Sequence, residues 1–121
     1  MKSDNTALIA LDSFLEEHQV KLRNQLVILD SDIIKLFEIN FQKLYTLVKS
    51  NKKRFPNDFM FELNVNEKKK FNHARYAFTD SGVLMLSGLI NTERGIKINL
   101  QLIELFVERF SEYVFELIKN L

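Results

Sequence analysis

Apolar side chains recur at spacings of three and four through Leu8, Leu11, Leu15, His18 and Leu22, which predicts an amphipathic helix over residues 4–23. Ser3 or Asp4 is the expected cap at its start. The short branched run Leu26-Val27-Ile28-Leu29 is too brief for a helix and reads as a strand. Asp30 then has the position of an N-cap for a short helix over Ser31–Glu38, with Ile33, Ile34 and Phe37 inside. A second helix is expected over Phe41–Asn51, burying Leu44, Leu47 and Val48. Only Ile39-Asn40 separates the two, the pattern of a helix-turn-helix. Glu38 or Ile39 sits at the corner, where a left-handed backbone would cost about 1 kcal/mol without glycine.

Arg54-Phe55-Pro56-Asn57-Asp58 has the composition of a turn. Phe59-Met60-Phe61-Glu62-Leu63 reads as a half-buried strand. Asn64 with Glu67 forms a capping-box pattern for a short helix over 65–71. Arg75-Tyr76-Ala77-Phe78 is a further strand, and Thr79 is the expected cap of a helix over Asp80–Ile90 that buries Val83, Leu84, Leu86 and Leu89. A last long helix runs from Glu93 or Lys97 to Asn120. Its apolar residues exceed one stripe, so part of it is expected to bury against a second copy, with Leu102, Phe106, Phe110, Tyr113 and Leu117 at a two-fold interface. The fold class that follows is α+β and predominantly helical. It has a winged-helix-like helix-turn-helix core, a small β-sheet and long N- and C-terminal helices. Within one compact domain, 1–23 is the N-terminal helix, 24–92 the core and 93–121 the dimerisation helix.

Composition narrows the chemistry. The chain of 121 residues is 46% hydrophobic and 27% charged, with one proline, three glycines and no cysteine, which is the profile of an ordinary globular domain. No disulfide, thiolate metal site or thiol nucleophile is available. Gly82, Gly88 and Gly95 are too scattered for a phosphate-cradling loop. No apolar run approaches the roughly 20 residues of a membrane span, and the start of the chain lacks a signal-peptide pattern, so a cytoplasmic protein with no membrane partner is expected.

The net charge of +1 is unevenly spread. Residues 1–42 carry −3 and residues 76–121 carry −2, whereas residues 43–75 hold nine Lys/Arg against three acids, for +6. A basic middle third between acidic flanks points to an anionic partner met at one place. Solvation alone is the simpler account of Lys68-Lys69-Lys70, but not of the whole block. His18 lies on an apolar stripe and His73 among basic residues, no carboxylate cluster accompanies either, and no serine-nucleophile motif is present. Neither an enzyme nor a cofactor is expected.

The stretch Val27–Asp32, the helix pair after it and Arg54-Phe55-Pro56-Asn57-Asp58-Phe59-Met60-Phe61-Glu62-Leu63 resemble the phage "ORF-six N-terminal" (ORF-N) domain family, a relative of the KilA-N and Bro-N domains. Tyr76-Ala77-Phe78-Thr79-Asp80-Ser81-Gly82-Val83-Leu84-Met85-Leu86-Ser87 resembles its second signature, and the likeness extends over roughly 24–110. Where that family usually has a corner glycine, this chain has Glu38. The resemblance implies a sequence-specific double-stranded DNA-binding domain of a phage or prophage transcriptional regulator, often of the antirepressor type.

On that reading Phe41–Asn51 is the recognition helix. Asn40, Gln42, Lys43, Thr46, Lys49 and Asn51 would face bases or phosphates, with Gln42 or Asn40 suited to adenine and the lysines to guanine or phosphate. Lys52, Lys53 and Arg54 would grip the flanking backbone, and Lys68, Lys69, Lys70, Asn72, His73 and Arg75 would form a second phosphate-binding arm. The rival is a protein-interaction module that seizes a repressor without binding DNA itself.

Overall fold

In a computed structural model, which describes residues 5–121, the elements follow in the order α1 (Asn5–His18), β1 (Val20–Leu22), β2 (Gln25–Leu29), α2 (Asp30–Phe37), α3 (Phe41–Ser50), β3 (Met60–Glu62), α4 (Val65–Lys70), β4 (Tyr76–Phe78), α5 (Asp80–Ser87) and α6 (Glu93–Lys119). The fold is α+β and predominantly helical, with a small antiparallel sheet and a long last helix. The caps expected at Ser3 or Asp4 lie outside the described residues.

The first helix ends earlier than its apolar stripe predicts. Arg23 and Asn24 both take left-handed backbone (φ 54° and 61°), which makes a two-residue hairpin turn of the kind that matches strand twist. Val20 therefore pairs with Val27 and Leu22 with Gln25, and Leu22 is a strand residue rather than a helical one. The boundary expected at 23/24 falls within that turn.

The sheet order is β1-β2-β4-β3, antiparallel throughout, with Ile28 opposite Phe78, and Phe61 opposite Ala77. Because side chains alternate across a strand, the sheet has two apolar faces. Ile28, Met60, Tyr76 and Phe78 join Leu11, Ile33, Phe37, Leu44, Val83, Leu86 and Leu102 in the main core. Val27, Leu29, Phe61 and Ala77 join Leu22, Leu63 and Ala74 in a smaller cluster on the other face. Over that second face Arg23 lies 4.1 Å from the Phe61 ring centroid and pairs with Glu67 at 2.9 Å. The Arg23 guanidinium, together with the Asn64 amide, holds the Glu67 carboxyl below its ordinary range.

Local capping signals act as the sequence predicts. Asn64 and Glu67 form a reciprocal capping box, and the Thr79 hydroxyl accepts from the Gly82 amide. Glu38 is the left-handed residue that ends α2 (φ 54°), and its amide donates to the Ile34 carbonyl. The inner faces differ in detail: Ile34, Leu47, Leu84 and Leu89 are half-buried, while Leu36 is buried in addition to Ile33 and Phe37.

Asp30 is not an N-cap. It is the first residue of α2, the cap position belongs to Leu29, and no side chain caps there. The Asp30 carboxylate is instead 1% exposed, and its Oδ2 accepts from the Tyr45 hydroxyl (3.0 Å), the Arg75 amide (3.1 Å) and the Tyr76 amide (3.2 Å). A single oxygen thus ties the start of α2 to the middle of α3 and to β4. Asp30 Oδ1 has no hydrogen-bond partner among the described residues.

Candidate functional site

Helix α3 owes its position to a narrow apolar face. Leu44 and Val48 are buried in the main core, Tyr45 and Leu47 are half-buried beside them, and Gln42, Lys43, Thr46, Lys49 and Ser50 are exposed opposite. Spacings of three and four put Gln42, Thr46 and Lys49 on one line along the outer surface, with Lys43 next to it. Ten residues make a helix about 15 Å long. Three residues, Glu38-Ile39-Asn40, join it to α2.

Two of the expected contact residues are committed elsewhere. Asn40 is the N-cap of α3, its Oδ1 accepting from the Lys43 amide at 2.8 Å. Asn51 is half-buried and donates its side-chain amide to the Leu47 carbonyl at 2.9 Å. Both polar side chains close the ends of the helix, where orphan backbone groups compete for them. Asn51, expected at the groove, is engaged here at the C-terminal cap of α3.

Beyond α3, Lys52–Arg54 forms a single 3-10 turn with all three basic side chains exposed. The chain then passes through Phe55 and Pro56 into β3. Between the end of α3 and the sheet lies an open groove of about 440 Å³, walled by Val48, Lys49 and Lys52 on one side and Met60, Glu62, Arg75 and Tyr76 on the other. Arg75 stacks over Tyr45 (4.9 Å) and Tyr76 (5.4 Å), so its guanidinium is held at the groove. The Tyr45 hydroxyl is pushed up to about 12, first by burial and then by its bond to the Asp30 carboxylate, so it stays a donor over the whole neutral range. Sequence reasoning placed Arg75 at a phosphate site but missed the aromatic pair and buried carboxylate that fix it. Those contacts join residues 30, 45 and 75–76, and no local spacing signals them.

The lysine triplet is not part of this groove. Phe71, directly after α4, packs on the smaller cluster, the sheet face away from α3, and Glu67 of α4 pairs with Arg23 over that same face. Lys69, Lys70, Asn72 and His73 are exposed and Lys68 half-buried, with the Lys70 Nζ 5.5 Å from the Phe71 ring centroid. Asn72 and His73 take left-handed backbone in a tight turn, closed by the His73 amide on the Lys68 carbonyl (2.7 Å). The basic block thus divides into two surfaces: Lys43, Lys49, Lys52, Lys53, Arg54 and Arg75 around α3, and Lys68–His73 on the opposite side of the sheet.

At the far end of the molecule, Leu102 is 0% exposed within the main core and Phe106 is half-buried against it, whereas Phe110, Tyr113 and Leu117 are exposed. Leu102 is thereby corrected from an interface residue to a core residue. His18 stacks on Phe14 (4.0 Å between centroids), and its Nδ1 lies 2.8 Å from the Phe14 carbonyl. Among the described residues no group of three or more His, Asp or Glu is placed to hold a metal ion. No helix among them is long and apolar enough to cross a membrane.

The profile of the ORF6N domain family matches residues 17–89, more than half of the chain, and the chain belongs to that family. The match covers β1 to α5 and ends at Leu89, before α6. No curated protein and no solved structure shows a match.

Proposed function

We propose that this ORF6N-family chain is a double-stranded DNA-binding domain of a cytoplasmic phage- or prophage-type transcriptional regulator or antirepressor. Family membership supports the coarser part, a phage-type regulatory domain. DNA binding rests on one observation: the exposed face of α3, a helix anchored by buried Leu44 and Val48, leads directly into the exposed basic turn Lys52–Arg54.

In this reading α2–Glu38–Asn40–α3 is the helix-turn-helix and β3–β4 its wing. A major groove about 12 Å wide admits α3, and Gln42 and Thr46 are aimed at base edges. Lys43 and Lys49 reach guanine or phosphate, while Lys52, Lys53 and Arg54 hold the flanking backbone. Arg75, stacked on Tyr45 and Tyr76, fixes the position of the wing on a phosphate. The Lys68–His73 surface, facing away from α3, meets DNA only if the duplex bends around the sheet. The proposal includes no catalysis and no cofactor.

Fluorescence anisotropy with a labelled duplex at 50 and 200 mM salt tests the reading. Log affinity should fall steeply with log salt, by about 0.9 per phosphate neutralised. Absence of binding at 50 mM by folded protein would refute autonomous DNA binding and favour the protein-interaction reading.

A further inference from the structure

Helix α6 carries two apolar faces, and the domain uses one. Gly95, Ile98, Gln101, Leu102 and Leu105 are buried against the rest of the chain. On roughly the opposite side, at 100° per residue, a second series follows a strict seven-residue repeat. One half of it is Leu100, Val107, Val114 and Leu121, and the other, four residues earlier in each repeat, is Ile96, Ile103, Phe110 and Leu117. Alternating spacings of four and three are the a/d signature of a coiled-coil seam. Within the helix it runs unbroken from Ile96 to Leu117, across both the half of α6 that the domain holds and the half that extends past it, and Leu121 continues the repeat just beyond the helix end at Lys119.

Every seam position except Val114, which is half-buried, is between 44% and 103% exposed. With side chains of roughly 200 Å² each, that amounts to about 800 Å² of apolar surface, what one partner contributes to a standard stable interface. A shallow apolar depression between Phe110, Val114, Phe115 and Ile118 offers a hole for an incoming knob. The charge of the helix disfavours an anionic occupant. From Glu104 to Lys119 the helix carries four glutamates against Arg109 and Lys119, the wrong sign for an anionic lipid surface or for nucleic acid.

We infer that a second copy of this chain covers the seam, α6 against α6, making the protein a dimer through Ile96–Leu121. A helical seam about 32 Å long from Ile96 to Leu117 with one repeat throughout is matched along its whole length by an identical helix. This inference does not depend on the DNA reading, and its test reads mass rather than DNA.

Sedimentation equilibrium of the full chain at about 50 µM, alongside Phe110→Glu and the conservative Phe110→Leu, decides it. Wild type and Phe110→Leu should run at twice the 14.3 kDa chain mass and Phe110→Glu at 14.3 kDa, with unchanged circular dichroism. A monomeric wild type, a trimer, or a dimer untouched by Phe110→Glu would overturn the inference. The wild-type mass decides even if the glutamate variant fails to fold.

Discussion

Replacing Asp30 by alanine removes the acceptor shared by Tyr45, Arg75 and Tyr76. The Tyr76 amide is buried, and its loss of a partner costs about 1–3 kcal/mol. The other two bonds are half-buried, where water substitutes in part, at about 0.5–1 kcal/mol each. Removing a buried carboxylate with an unpartnered Oδ1 returns some desolvation energy. The net expectation is a loss of about 2–4 kcal/mol, and a Tm lower by about 8–15 °C for a chain of this length. Tyr45→Phe removes one donor and should cost about 1 kcal/mol. Urea denaturation of the two single variants and the double variant measures the coupling, expected at about 0.5–1.5 kcal/mol. An Asp30→Ala loss below about 0.5 kcal/mol, or no coupling to Tyr45, would refute the claim that this carboxylate holds α3 to the sheet.

Further outcomes follow from the same contacts. Tyr45 has its pKa raised from 10.0 to about 12, so its neutral form is favoured in the fold. Its contribution to stability is complete below pH 10 and is lost as pH rises from 10 to about 12, and Tyr45→Phe should flatten that limb of a stability–pH profile. A Cβ at Gly82 would collide with the Phe59 carbonyl, a backbone atom that cannot swing aside, so Gly82→Ala should lower stability by about 2 kcal/mol or more in denaturant titrations. Changing Lys52, Lys53 and Arg54 together to alanine should reduce the magnitude of the log–log salt slope for DNA by about 2–3 while leaving the sedimentation mass unchanged. Gln42→Ala should weaken preference for a selected site more than affinity for random duplex, as competition titrations would show.

The features legible in the chain were those written in local chemistry. The α3 stripe through Leu44 and Val48, the Asn64–Glu67 capping box, the Thr79 cap and the left-handed Glu38 all depend on neighbours within a turn or so. What escaped was set by distant partners. Val20–Leu22 continues a helical stripe, yet pairs with Gln25–Val27 because Arg23 and Asn24 accept positive φ. Asp30 looks like a cap at any strand-to-helix junction, and only the arrival of Tyr45 and β4 gives it another use. In α6 the superposition of two apolar faces obscures which residues point inward, and Leu102, expected at the interface, is core. At the site, the cationic face of α3 was readable from spacing, but the capping duty of Asn51, the stacking of Arg75 and the separation of the lysine triplet onto the other sheet face were not.

The central claim is that α3 and the turn after it meet duplex DNA. Titrating the isotope-labelled chain with a short duplex, and following amide chemical shifts residue by residue, tests it most directly. The account predicts the largest shifts at Gln42, Lys43, Thr46, Lys49 and Lys52–Arg54, with α1 and the extended half of α6 unmoved. Shifts concentrated on α6 or on Lys68–His73, with α3 silent, would contradict it.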